Sequence, residues 1–354
     1  MTTAGFDPDL YGAVDDVFGR RVDPTVIAAA ETDGMSASLW STVADLGFPL
    51  VGVDDARGGS GGSIMDALAI AVLAGHHAVP LPIVETHLAA WLLAGAGLDV
   101  TAEPMTVAPG TDGDEVVVEG GSVRGVVHDV AWVPGATKLV VVTEAASVVV
   151  IDPARAEIEI GHDLAGQPRS VVRFAGAEHA EGGAGLSPRA LQLRGALLRA
   201  GQLAGAQDSL AELTIGYCAE REQFGRPLHA FQAVQQHLVT LAQSAELSSM
   251  AVLRAGLAAL EREASFEICC AKLVADQCAA DAVRAAHQAH GAISMTLEYR
   301  AQLITRRLNA WRFEFGTEAD LALELGNAVA GTDSFFATVV EERATPEVAT
   351  CPAP

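Results

Sequence analysis

The period of the hydrophobic residues changes twice along this chain, and that change constrains the fold more than any single motif. From Asp7 to about Gly97 apolar residues recur at spacings of three and four, as in DLYGAVDDVF, SLWSTVADLGF and SIMDALAIAVLAGHH, which predicts helices. From about Pro104 to Phe174 short β-branched runs (EVVVEG, VRGVV, KLVVVT, SVVVID, AEIEI, SVVRF) alternate with Gly, Pro and Asp, which predicts a small, mostly antiparallel β-domain. From Ser187 to about Val329 the helical period returns in long stretches, Pro188 to Ala219, Phe231 to Glu261, Ala264 to Gln288 and Glu298 to Phe315. Long helices with short links predict an antiparallel bundle. A helical, then β, then helical order is not what an alternating βαβ fold produces.

The expected fold class is therefore α+β and mostly α, in the order helical domain (1–103), shortened β-domain (104–185), four-helix bundle (186–330) and helix end with tail (331–354). The closing ATPEVATCPAP is Pro-rich and is expected to fray. With 354 residues, half of them hydrophobic and 19% charged, the composition is that of a globular protein and excludes a disordered one. A formal net charge of −23 opposes nucleic acid and anionic lipid. No basic stretch followed by an apolar one marks the N-terminus, and acidic and His residues interrupt the most apolar region, so no signal peptide or membrane span is expected. Five cysteines without CxxC spacing predict reduced thiols and a cytoplasmic setting.

Most local patterns read as structure. The glycine-rich Asp54 to Gly62 segment lacks the preceding strand and following Lys-Ser/Thr of a phosphate-binding P-loop, so it is a turn, with Ser63 as N-cap of the next helix. His76 and His77 are adjacent and point about 100° apart on a helix, so they cannot chelate one ion together. With no HExxH or Cys/His spacing, no metal is expected.

Two junctions carry more chemistry. Arg221-Glu222-Gln223-Phe224-Gly225-Arg226-Pro227, followed by Phe231 and Gln232, lies where a long helix must end. It gathers guanidinium, aromatic ring and side-chain amides at one turn, a set suited to a nucleotide diphosphate and equally compatible with an ordinary interhelical turn. The run Gln288-Ala289-His290-Gly291-Ala292 also sits between helices, where small residues let backbone approach an anion closely.

Taken together and in this order, the segments AGQLAGAQDSLAELTIGYCAEREQFGRPLHAFQAVQQHL and QAHGAISMTLEYRAQLITRRLNAW resemble the flavin-contacting helix junctions of the acyl-CoA dehydrogenase family. The resemblance runs over nearly the whole chain and implies an N-terminal α-domain, a middle β-domain, a C-terminal four-helix bundle and an FAD held between subunits. It implies that Arg221 reaches the FAD pyrophosphate of a neighbouring subunit, with Gln223 and Phe224 beside it and Gln232 near the adenosine. It further implies that Gln288, Gly291 and Ala292 form the family's Gln-x-x-Gly-Gly turn against the adenosine diphosphate, Ala292 departing from the second glycine.

The departures are as informative. The family's base is a Glu that removes the α-proton of the acyl-CoA, and most members carry it in a Tyr-Glu-Gly whose matching positions here are Phe315-Gly316-Thr317, one residue out from Glu314. In the branch that places the base on an earlier bundle helix the matching position is Gly195, next to Arg194. The family's flavin-ring motifs of the middle domain are absent, Thr111-Asp112-Gly113 being the nearest remnant.

That pattern resembles the short subunits of actinobacterial heterotetrameric (α2β2) acyl-CoA dehydrogenases that act on steroid side chains. The resemblance implies FAD as cofactor, a bulky acyl-CoA as substrate, a longer base-bearing acyl-CoA dehydrogenase subunit as partner, and an electron-transferring flavoprotein as acceptor. Two alternatives stay open: a self-sufficient homo-oligomer using Glu314 as base, and a scaffold subunit without flavin.

Overall fold

A computed structural model describes residues 5–331 except 112, 120, 121, 144, 177 and 182–185. The tail expected beyond residue 331 and Asp112 of the Thr-Asp-Gly remnant lie outside the described residues.

Five helices come first: α1 (Pro8–Arg21), α2 (Pro24–Asp33), α3 (Ala37–Asp45), α4 (Ile64–His76) and α5 (Ile83–Gly95). Their starts are written in the sequence. Asp7, Asp23 and Ser36 accept hydrogen bonds from the first free amides of α1 to α3, and Ser63 with Asp66 closes a capping box on α4. The glycine-rich segment before Ser63 is a turn, pinned by a bridge between Val53 and Gly61.

Eight strands follow, β1 (Met105–Val107), β2 (Glu115–Glu119), β3 (Ser122–Ala131), β4 (Lys138–Val142), β5 (Ser147–Ile151), β6 (Glu157–His162), β7 (Pro168–Ala175) and β8 (Glu178–Glu181). They form two four-stranded sheets, ordered β1-β4-β5-β8 and β2-β3-β7-β6. Every pairing is antiparallel except β1 with β4. The inner faces share Val123, Val127, Leu139, Val149, Val172 and Phe174. A register shift in β3 between Val127 and Val130 breaks its pairing with β7, with Asp129 in the left-handed region at φ 53°.

The chain then builds the bundle from α6 (Pro188–Glu220), α7 (Gln232–Glu261), α8 (Ser265–His290) and α9 (Ala301–Trp311), with α10 (Glu318–Ala330) packed on α8. Between α6 and α7 a two-residue hairpin pairs β9 (Glu222–Gln223) with β10 (Arg226–Pro227). Helix α4 crosses α6 so closely that a Cβ on Gly205 would lie 1.9 Å from the Val72 carbonyl oxygen and one on Gly75 2.0 Å from that of Gln202, so both positions require glycine. N-terminal helices and bundle thereby share one core, which also takes in Leu88, Leu197, Ala275 and Leu308.

Three local expectations change. Helix α6 runs one residue past Ala219, to Glu220, with Arg221 as C-cap, and the segment after it is a hairpin whose turn holds Gly225. Helix α8 runs two residues past Gln288, to His290, and closes on Gly291 at φ 68°. The helix expected over Glu298 to Phe315 is the shorter α9, because the chain turns back after Trp311 and reaches positive φ at Phe315 (54°) and Gly316 (109°). The carbonyls freed by that turn are held by the Lys272 ammonium, 3.2 Å from the Arg312 oxygen and 3.4 Å from the Gly316 oxygen.

Candidate functional site

A cleft of about 470 Å³ opens between the β-domain and the bundle, lined among others by Val107, Thr111 and Asp129 of the β-domain and by Leu193, Ala196 and Phe315 of the bundle. Phe315, Gly316 and Thr317, the segment matching Tyr-Glu-Gly, line it. The Phe315 ring packs on Gly195 so tightly that a Cβ there would lie 2.3 Å from a ring carbon. Neither Gly195 nor Gly316, the residues at the two positions matching the base, offers a carboxylate, and the Phe315 ring beside Gly316 leaves no room for a side chain at Gly195.

Glu314 lines the same cleft and is buried. One of its oxygens pairs with Arg169 of β7, and the other lies 2.6 Å from Arg199 of α6. Each oxygen of this carboxylate is thus ion-paired to a guanidinium, whereas a general base needs an oxygen aimed at a substrate proton. Arg199 also donates to Gln202 and, at 2.7 Å, to Glu85 of α5. Behind the turn, the buried Lys272 ammonium lies 2.7 and 2.8 Å from the two Asp276 carboxylate oxygens. Burial pushes the Asp276 carboxyl up to about 7 and moves Lys272 down, each opposed by the other's charge.

None of these partners was singled out in the sequence. The signals were present in Arg199, an arginine within an otherwise apolar stretch of α6, and in Lys272 with Asp276 one helical turn apart in α8. Neither signal says what charge stands opposite, because Glu85 and Arg169 come from other domains.

A second guanidinium, Arg194, is half-buried and pairs with no acid among the described residues. It donates to His87 Nε2 at 3.1 Å and to the Gly52 carbonyl at 3.2 Å, and lies over the Trp91 ring. Burial, with a further push from Arg194, holds the His87 imidazole well below its ordinary pKa.

The two motif junctions meet at one end of the bundle. Tyr217, in the last turn of α6, stacks on His290 at the end of α8 with ring centroids 4.6 Å apart, and His290 Nε2 lies 3.0 Å from the Tyr299 hydroxyl. On this end Arg221, Gln223, Phe224, Gln232, Gln288, Gly291 and Ala292 are all exposed. Phe224 stands at the hairpin tip, 93% exposed, with φ 52° beside Gly225 at 79°. Arg226, on the same hairpin, stacks over Phe231 at 4.1 Å. Among the described residues no group of three His, Cys, Asp or Glu side chains is placed to hold a metal ion, and no helix is long and apolar enough to cross a membrane.

Residues 183–329 match the family model described as acyl-CoA dehydrogenase, C-terminal domain. Residues 183–329 thus belong to the acyl-CoA dehydrogenase C-terminal domain family, in a chain that has the acyl-CoA dehydrogenase fold. The acyl-CoA dehydrogenase IpdE2 of Mycolicibacterium smegmatis is 27% identical over 293 residues, which cover 81% of this chain and 87% of that protein. Among solved structures, a chain of the ChsE4-ChsE5 complex from Mycobacterium tuberculosis superposes with a TM-score of 0.84 at 20% identity, over 94% of this chain and 99% of the other. A chain of the Tcur3481-Tcur3483 steroid acyl-CoA dehydrogenase, G363A variant, superposes with a TM-score of 0.82 at 21% identity, over 91% and 97%. In this acyl-CoA dehydrogenase fold the exposed bundle end carries the residues that resemble adenosine-side FAD contacts, and the cleft carries the positions that resemble the family's base.

Proposed function

We propose that this chain is the short, base-deficient subunit of a heteromeric, FAD-dependent acyl-CoA dehydrogenase, forming a 2,3-enoyl-CoA from a bulky, steroid-derived acyl-CoA. The observation that carries the reading is that both positions matching the family's base are glycine, Gly195 and Gly316, with the ring of Phe315 packed on Gly195. The bundle end supports the other half. Its exposed guanidinium, amides and aromatic ring suit the diphosphate and adenosine of an FAD whose ring is held by another subunit, and a Cβ on Gly291 would meet no atom within 4 Å, so backbone there is open to close approach.

Bound FAD supplies the acceptor for the hydride leaving the β-carbon. On this proposal the partner subunit supplies the carboxylate that takes the α-proton, and Arg221, Gln223, Phe224, Gln232, Gln288, Gly291 and Ala292 of this chain hold the distal part of the cofactor. The heteromeric arrangement and the steroid class are favoured by the two solved structures above, whose names describe a two-protein complex and a steroid acyl-CoA dehydrogenase. An electron-transferring flavoprotein is the expected acceptor.

The decisive experiment is purification with and without a longer, base-bearing acyl-CoA dehydrogenase from the same genome. The chain alone is expected to be colourless and inactive, and the co-expressed pair yellow, stoichiometric and active on steroid-side-chain acyl-CoA. Yellow, active protein from this chain alone would establish the homo-oligomeric alternative, and a colourless pair would leave a scaffold.

A further inference from the structure

Glu314 stands in a chain of four buried charges that passes through all three parts of the molecule. Arg169 belongs to the β-domain, Glu85 to the N-terminal helices, and Arg199 and Glu314 to the bundle. Their side chains are 12%, 5%, 2% and 7% exposed, respectively. The order along the chain is Glu85, Arg199, Glu314, Arg169, so charges alternate and sum to zero. Arg169 is further flanked by Asp129 and Asp163, each 3.8 Å away.

Interfaces between domains of one chain ordinarily permit relative motion unless they are large and apolar. Here the sheet β1-β4-β5-β8 packs on the helices through Met105, Val107, Val140, Val142 and Val148, whereas the sheet β2-β3-β7-β6, which carries Arg169, contributes no described residue to that shared core and is separated from the bundle by the cleft of about 470 Å³. Besides the charged chain, the Trp311 indole N–H donates to Gln167 across the same seam at 3.0 Å. The turn bearing Glu314 is itself fixed from behind by Lys272, so the carboxylate is presented by a rigid support.

We propose that Glu314 is the keystone of a clamp that keeps the sheet β2-β3-β7-β6 of the β-domain docked on both helical domains with nothing bound in the cleft. A buried alternating chain of this kind acts as a unit. Removing one partner leaves an uncompensated charge in a low-dielectric seam, whereas removing an opposite pair restores neutrality. Loss of Glu314 alone therefore loosens the sheet β2-β3-β7-β6, while the helical core, held by its own apolar packing, stays closed.

Hydrogen–deuterium exchange on the full chain, in whichever form it purifies, tests the clamp without reference to turnover or flavin. In Glu314→Gln, amides of β3 and β7 are expected to exchange at least tenfold faster, with amides in the middle of α6 and α8 changing less than twofold. In the double variant Arg169→Met/Glu314→Gln the β-domain is expected to exchange no faster than in Glu314→Gln. Should Glu314→Gln not fold, Arg169→Lys, which keeps the charge but not the fork of donors, gives the same order of segments with a smaller rise. Unchanged β-domain exchange, a rise spread equally over β-domain and helices, or a double variant showing the product of the two single effects would each overturn the clamp.

Discussion

The ring of Phe315 lies against the backbone of Gly195, and each residue is the reason the other is possible. A methyl on Gly195 would enter the ring at 2.3 Å, and Phe315 reaches its place only through a left-handed backbone, φ 54°, followed by Gly316 at 109°. One residue comes from the first turns of α6 and the other from the turn after α9, and Gly195 together with Gly316, the neighbour of Phe315, stand at the two positions that match the family's catalytic carboxylate.

Gly195→Ala gives this contact a sign that can be measured. In an unconstrained helix interior, Gly to Ala gains about 0.5–1 kcal/mol. Here overpacking against a buried ring is expected to reverse that and cost on the order of 1–3 kcal/mol in urea unfolding. Combining it with Phe315→Ala removes the clash, so the double variant is expected to be no less stable than Phe315→Ala alone. A stabilised Gly195→Ala protein would refute the packing.

Arg221→Ala is expected to lower FAD occupancy of the assembled complex after dialysis, since a charge-assisted contact to phosphate contributes about 1.5–3 kcal/mol. Arg226→Ala is the matched control, because that guanidinium is spent on the Phe231 ring. Equal flavin loss in both variants would mean that the hairpin matters only as a fold element.

For Glu314→Gln the expectation concerns the kind of loss as well as its size. Removal of a general base lowers turnover by roughly 10²–10⁴-fold and erases the corresponding limb of the pH–rate profile. A carboxylate occupied by Arg169 and Arg199 is expected to give a much smaller fall with the pH profile retained. A base-sized fall with a lost limb would make this chain catalytic in its own right.

Acidification is expected to destabilise the protein through His87. Its folded-state pKa lies well below the ordinary value, chiefly because it is buried and secondly because Arg194 repels a second positive charge. Between the two values the unfolded chain binds the extra proton, so this stability is complete above about pH 6.5 and is lost as pH falls below it. His87→Gln keeps an acceptor for Arg194 and takes up no proton. The stability gap between the wild-type protein and this variant, from urea melts at pH 7.5 and 5.5, is therefore expected to narrow at the lower pH. A gap that stays constant would exclude His87 as the titrating group.

Hydrophobic period, caps and turn residues are local properties, and by themselves they determined the order of helices, strands and helices, the starts of α4 and α6 at Ser63 and Ser187, and the two polar junctions at Arg221 and Gln288. The absence of a carboxylate at positions 195 and 316 was equally legible, since it needs only residue identity. What stands there instead was decided by the tertiary structure. That Phe315 fills the space over Gly195, that Glu314 answers to Arg169 and Arg199, and that Glu85 completes the row depend on residues more than a hundred positions apart being brought into one seam. The reason is physical: a helix or strand is specified by neighbours within a few residues, whereas the partner of a buried charge is specified by whatever the folded chain places across from it.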